Sequence, residues 1–129
     1  PLPLEAGSVW KGSFTYGNSY GPPERGSSVD FQLLVQSLDA QTGTFRGQTT
    51  EPYTGFGTKG PDGRMHGTVS GKVTRSAAGY TLTLTKTYRY FTQDSVNYEG
   101  TASAAGQRFT GRWRIGRTNA SGTFSLSLP

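Results

Sequence analysis

Tyr80-Thr81-Leu82-Thr83-Leu84-Thr85-Lys86-Thr87-Tyr88 decides the fold class. Every second residue is threonine, and the residues between are Tyr, Leu, Leu, Lys and Tyr. A period of two is the period of a strand, and β-branched threonine suits a pleated surface but loses χ1 freedom in a helix. The stretch therefore predicts a strand with one hydroxylated face and one apolar face that carries a lysine.

The same alternation recurs on either side. Ser8 to Tyr16 sets Trp10, Phe14 and Tyr16 against Lys11, Ser13 and Thr15. Val29 to Leu38 sets Val29, Phe31, Leu33 and Val35 against Asp30, Gln32 and Gln36. Phe45, Gly47 and Thr49 mark a third strand, and Met65, Gly67, Val69 and Gly71 a fourth, ahead of the Tyr80–Tyr88 strand. After it come Val96, Tyr98 and Gly100, then Phe109, Gly111, Trp113 and Ile115, and finally Phe124, Leu126 and Leu128. Connections between these segments alternate. They are longer at 17–28, 52–63, 89–95 and 116–121, and tight at 39–43, 76–79 and 104–106. In an up-and-down meander, successive connections fall at opposite ends, so the longer loops form a mouth and the tight turns a floor. The expectation is an all-β, eight-stranded antiparallel up-and-down barrel, whose closure removes exposed edges and leaves an interior for side chains or one small ligand. A two-sheet sandwich with Greek-key crossing is the alternative.

The chain of 129 residues and 13.8 kDa has the size of one domain, taken as 1–129 with residues 1–7 as an extended lead-in. With 19 Gly and 7 Pro there is little room for long helices. The absence of cysteine excludes a disulfide framework, a thiol nucleophile and a thiolate metal site, and with a single histidine no metal or cofactor is expected. No apolar run approaches the ~20 residues of a membrane span. The chain starts at Pro1 rather than Met, which reads as a removed signal peptide or a piece of a longer protein, with a secreted or periplasmic location favoured. The net charge of +5 gives a mild attraction to anions.

Val9-Trp10-Lys11-Gly12, and Tyr98-Glu99-Gly100 followed by Gly111-Arg112-Trp113, resemble the calycin superfamily. Within it the chain is similar to the avidin-like barrels, through its opening Trp strand, the Tyr88-Arg89 pair, the aromatic-x-Gly strand at Tyr98 and the central Trp113. Lys11 and Gly12 stand where avidins carry an aromatic and an Asn, and the chain has only 2 Trp, so the resemblance does not imply biotin binding. Lipocalins close the barrel floor with the first-strand Trp under a basic side chain from a late strand. By that resemblance Trp10 is the floor and Arg108 the side chain stacked on it; Trp10 also reads as a plain core residue.

Candidate site residues gather at the mouth. Lys86 shares the inward parity of Leu82, Leu84 and Tyr88, and Glu51 that of Phe45, Gly47 and Thr49. A lysine inside an apolar barrel is costly without a partner. Either Glu51 and Lys86 form an ion pair that seals the upper barrel, or one of them anchors a polar group of a ligand. Tyr16, Tyr53, Phe56, Tyr88 and Phe91 fall at or within the longer loops, where aromatics either cap the core or line a site. Inward glycines at 12, 47, 67, 71, 100 and 111 either leave volume for a ligand or permit sharp bending. His66, opposite in parity to Met65 and Gly67, is expected to face solvent. Trp113 reads as core rather than as a ligand platform. Arg108, Arg112 and Arg114 share an outward face without interleaved aromatics, which reads as a solvated strand face and makes nucleic acid an improbable partner.

The first functional reading is a small-molecule-binding barrel with its site at the mouth and no catalytic residues. The alternative is a non-catalytic interaction or accessory domain with a filled barrel, whose partner is another protein. A barrel cyclase or isomerase that acts by enclosing its substrate is third, with an enzyme the less favoured outcome.

Overall fold

The computed structural model describes residues 2–55, 57–90, 93–105 and 107–127. Its strands are β1 (Val9–Tyr16), β2 (Ser28–Leu38), β3 (Thr44–Pro52), β4 (Arg64–Ser76), β5 (Gly79–Tyr88), β6 (Val96–Ser103), β7 (Arg108–Ile115) and β8 (Ser121–Ser127). Each pairs antiparallel with the next in sequence, and β8 returns to β1, closing the barrel. The sandwich alternative is thereby set aside. Leu128, read as the last inward residue of the eighth strand, lies outside the described residues.

Alternation explains the architecture residue by residue. Leu82, Leu84 and Lys86 on β5 are buried, while Thr81, Thr83, Thr85 and Thr87 point away from the core. The outer hydroxyls pair across strands: Thr74 with Thr81, Thr85 donating to Asn97 at 3.0 Å, and Thr87 with Ser95 at 2.9 Å. β3 and β4 run past the segments the periodicity marked, to Pro52 and Ser76, because their backbone ladder continues through the pairs Glu51↔Met65 and Ser76↔Gly79. The ladder slips once, where a bulge between Val35 and Ser37 turns the end of β2.

The core runs the length of the barrel, from Leu4, Trp10, Phe45 and Phe109 at the tight-turn end to Phe14, Val96 and Trp113 toward the longer loops. The lead-in does more than extend. Leu4 is buried against the floor cluster of Trp10, Leu33, Phe45, Leu82, Phe109 and Leu126, and the Gly7 amide donates to the Val35 carbonyl at 2.7 Å. The inward glycines mark close approach rather than spare volume. A Cβ on Gly67 would lie 2.6 Å from Thr49 Oγ1 and 2.9 Å from Lys86 Cγ, so those side chains occupy the place its own would take. Among the described residues no helix is long and apolar enough to cross a membrane.

Candidate functional site

β3 and β5 deliver the charged centre of the barrel. Glu51 stands near the mouth end of β3 and Lys86 near that of β5, each 2% exposed. Lys86 Nζ donates to Glu51 Oε1 at 2.9 Å, and Tyr88 Oη donates to the same oxygen at 3.0 Å. Three rings complete the enclosure, with the ammonium 4.6 Å from the centroid of Tyr88, 5.2 Å from Phe14 and 5.5 Å from Tyr98. Ring faces attract a cation, more so where water is excluded.

The proton positions follow from these contacts. Burial is the largest influence on Lys86 and opposes its charge, but Tyr98, Tyr88 and Glu51 together outweigh it and hold its pKa well above the ordinary lysine value. Lys86 is an ammonium at neutral pH, hence a donor and not an amine nucleophile. Burial pushes the Tyr88 phenol far up as well, and those of Tyr98 and Tyr16 up, with a hydrogen bond to Thr54 partly offsetting the effect at Tyr16. All three are neutral hydroxyls.

Above this centre lies a cavity of about 130 Å³. One wall is aromatic: Phe14, Tyr16, Tyr20 and Trp113, with Tyr16 and Tyr20 edge to face at 4.7 Å and Trp113 edge to face with Tyr16 at 6.0 Å. Met65, Val96 and Ile115 also line it, and Thr54 and Gln93 reach it from the loops. Trp113 is locked in place because its Nε1–H is shared between the carbonyls of Thr15 (3.2 Å) and Thr123 (3.1 Å), strands on either side of the closing seam. Beneath Lys86 the interior is nearly solid, leaving about 10 Å³ among Thr49, Tyr98, Phe124 and their neighbours.

The longer loops around the cavity are tied to one another. Ser19 Oγ accepts from the Ser121 amide at 3.1 Å, and the Gly116 amide donates to the Ser95 carbonyl at 2.8 Å. His66 Nε2 lies 2.8 Å from both carboxylate oxygens of Asp62, and its ring meets Tyr90 edge to face at 5.9 Å. His66, expected in solvent, is therefore partly covered, because residues 57–63 fold back against it and supply Asp62 as its partner. The His66 hydrogen bond, with the Arg64 amide, holds the Asp62 carboxyl below its usual range.

The cavity lining includes Tyr16, Glu51, Lys86 and Tyr88 from the expected set. Tyr53 stands apart, 42% exposed, with its ring beneath the Lys59 ammonium at 5.3 Å and its hydroxyl 3.4 Å from the Gly57 carbonyl. It follows the end of β3 and is held by its own loop rather than by the barrel. Phe56 and Phe91 lie outside the described residues. At the floor, Trp10 is 1% exposed, but Arg108 does not cover it. Arg108 is exposed on the outer face of β7; alternation turns its neighbour Phe109 inward instead, with its ring 5.5 Å from that of Trp10. Phe14, Tyr98 and Trp113 were legible as inward residues but not as site residues, because parity says which face a side chain takes and not how deep the packing ends.

A larger concavity lies elsewhere, an open outer groove of about 810 Å³ across β3 to β6 lined by Arg46, Lys72, Glu99 and strand hydroxyls. Its charges are of both signs and face water, whereas the mouth cavity holds buried polar groups beside apolar walls, the combination expected of a small-molecule site. Among the described residues no group of three or more His, Cys, Asp or Glu is placed to hold a metal ion. Among known proteins, no family model matches the chain and no curated sequence matches it.

Proposed function

We propose that this barrel binds a small molecule at the mouth formed by its longer loops, on Tyr16, Tyr88, Glu51 and Lys86 together with Phe14, Tyr20 and Trp113. The observation that carries the reading is the 130 Å³ cavity whose aromatic wall meets a buried ion pair and tyrosine hydroxyls at one end. By the sequence reading, Tyr53, Phe56 and Phe91 are further candidates for contact with the ligand. The closed eight-stranded topology agrees with the calycin-like reading of the sequence, whose barrels take ligands at an open end. The nearly solid interior beneath Lys86 leaves room for a ligand only at the mouth end and is the one observation that favours the alternative, an accessory domain with a filled core.

Thermal-shift screening of a fragment library separates the two. A ligand at 100 times its Kd adds about 2.7 kcal/mol of apparent stability. The shift should disappear in Ile115→Trp, which fills the cavity from the end of β7. Hits that persist in that variant, or a library without hits, would turn the assignment toward the accessory domain.

A further inference from the structure

We infer that the ligand of the mouth cavity is an uncharged molecule built on a single ring with one hydrogen-bonding substituent. The inference rests on the mouth reading above and adds the chemical class. Size sets the first limit: an engineered cavity of roughly 150 Å³ takes benzene, so a cavity of about 130 Å³ admits one six-membered ring and excludes a fused pair. The lining sets the second, since Phe14, Tyr16, Tyr20 and Trp113 meet one another largely edge to face and offer a ring the same packing.

Charge sets the third limit. The cavity contains one cation and one anion, and they are already engaged with each other at 2.9 Å. The carboxylate oxygen that takes Lys86 also takes Tyr88, and the ammonium is further surrounded by three ring faces. An anionic ligand meets a lysine whose charge is spent, and a cationic ligand meets a glutamate in the same condition. Either would lose its hydration without gaining a counter-ion. The Tyr88 hydroxyl, whose proton goes to Glu51, can still accept, and those of Tyr16 and Tyr98 can donate or accept, so a neutral alcohol, phenol or carbonyl loses little on entering.

Benzyl alcohol, benzoate and benzylammonium share one ring and differ in charge. Their binding to the whole protein at neutral pH can be followed by the fluorescence of Trp113, with Ile115→Trp as the blocked-cavity control in thermal shift. Benzyl alcohol should bind with a Kd at least 10-fold below that of either ion. Benzoate or benzylammonium binding as tightly, in a manner abolished by the control, overturns the ligand class and leaves the mouth site standing. If none of the three binds, or if binding survives the control, the mouth reading itself fails and the class with it. Glu51→Gln adds a reversal test, because it leaves the lysine charge unspent and should move the preference toward benzoate by more than 10-fold.

Discussion

Replacing Glu51 by Gln keeps the shape of the charged centre and removes its anion. At 2.9 Å and an effective dielectric constant of ~20, the Glu51–Lys86 attraction is about 6 kcal/mol. The Gln oxygen still accepts from Lys86 and Tyr88, so the net loss should be about 3–5 kcal/mol, as for other buried pairs broken on one side. For a domain of this size that lowers Tm by roughly 12–18 °C. The pH dependence is more telling than the magnitude. In the native protein the Lys86 pKa is raised above its ordinary 10.5, so its stabilisation is complete below that value and is lost as pH rises through the higher folded value. In Glu51→Gln one of the influences that raise that pKa is removed, so the folded value lies below the parent's and the stability gap between the two proteins should narrow at alkaline pH. Urea unfolding of both proteins at pH 7 and at a pH above the ordinary lysine value of 10.5 reads both effects. A loss under 1 kcal/mol, or a gap that does not narrow at the higher pH, would refute the account of a buried, mutually dependent pair.

Three further outcomes are expected. Trp113→Ala, which removes a side chain only 4% exposed and two shared hydrogen bonds, should cost about 3–5 kcal/mol in urea unfolding. Gly122→Ala places a Cβ 1.9 Å from the Thr15 carbonyl and 2.7 Å from the Trp113 ring, and should cost about 1–3 kcal/mol by forcing the seam apart, detectable as lost amide protection at Thr15 and Tyr16. The Asp62 carboxyl has a folded pKa below the ordinary 3.8, so its stabilising contact with His66 holds above that value and is lost as pH falls through the lower folded one. The stability gap between the parent and Asp62→Asn should accordingly be present at pH 6 and close in strong acid.

Much of this barrel is legible before folding because a strand writes its two faces into alternate residues. Threonine on one face of β5 and Leu82, Leu84 and Lys86 on the other fix both the element and its orientation. Loop lengths then order the ends, since a meander must alternate them, and the same parity turns both Glu51 and Lys86 to the interior. What parity leaves open is depth and direction beyond the strands. Leu4 folding under Trp10, Asp62 reaching back to His66 and Tyr53 settling on its own loop all depend on how irregular segments return to the barrel, and no period encodes that return. The inward glycines illustrate the same gap: alternation puts Gly67 inside, but only the positions of Thr49 and Lys86 show that the space is taken.

The return of β8 to β1 makes the strand order a ring, in which every other pairing joins consecutive strands. A ring has no obligatory beginning. Opening the ring between Ala77 and Ala78, in the turn between β4 and β5, and linking β8 directly to β1 would preserve every ladder and leave the mouth loops untouched. Such a rearranged gene would encode the same barrel opened a half-turn further around the wall, so that a reporter or a second binding module could be attached there without approaching the mouth.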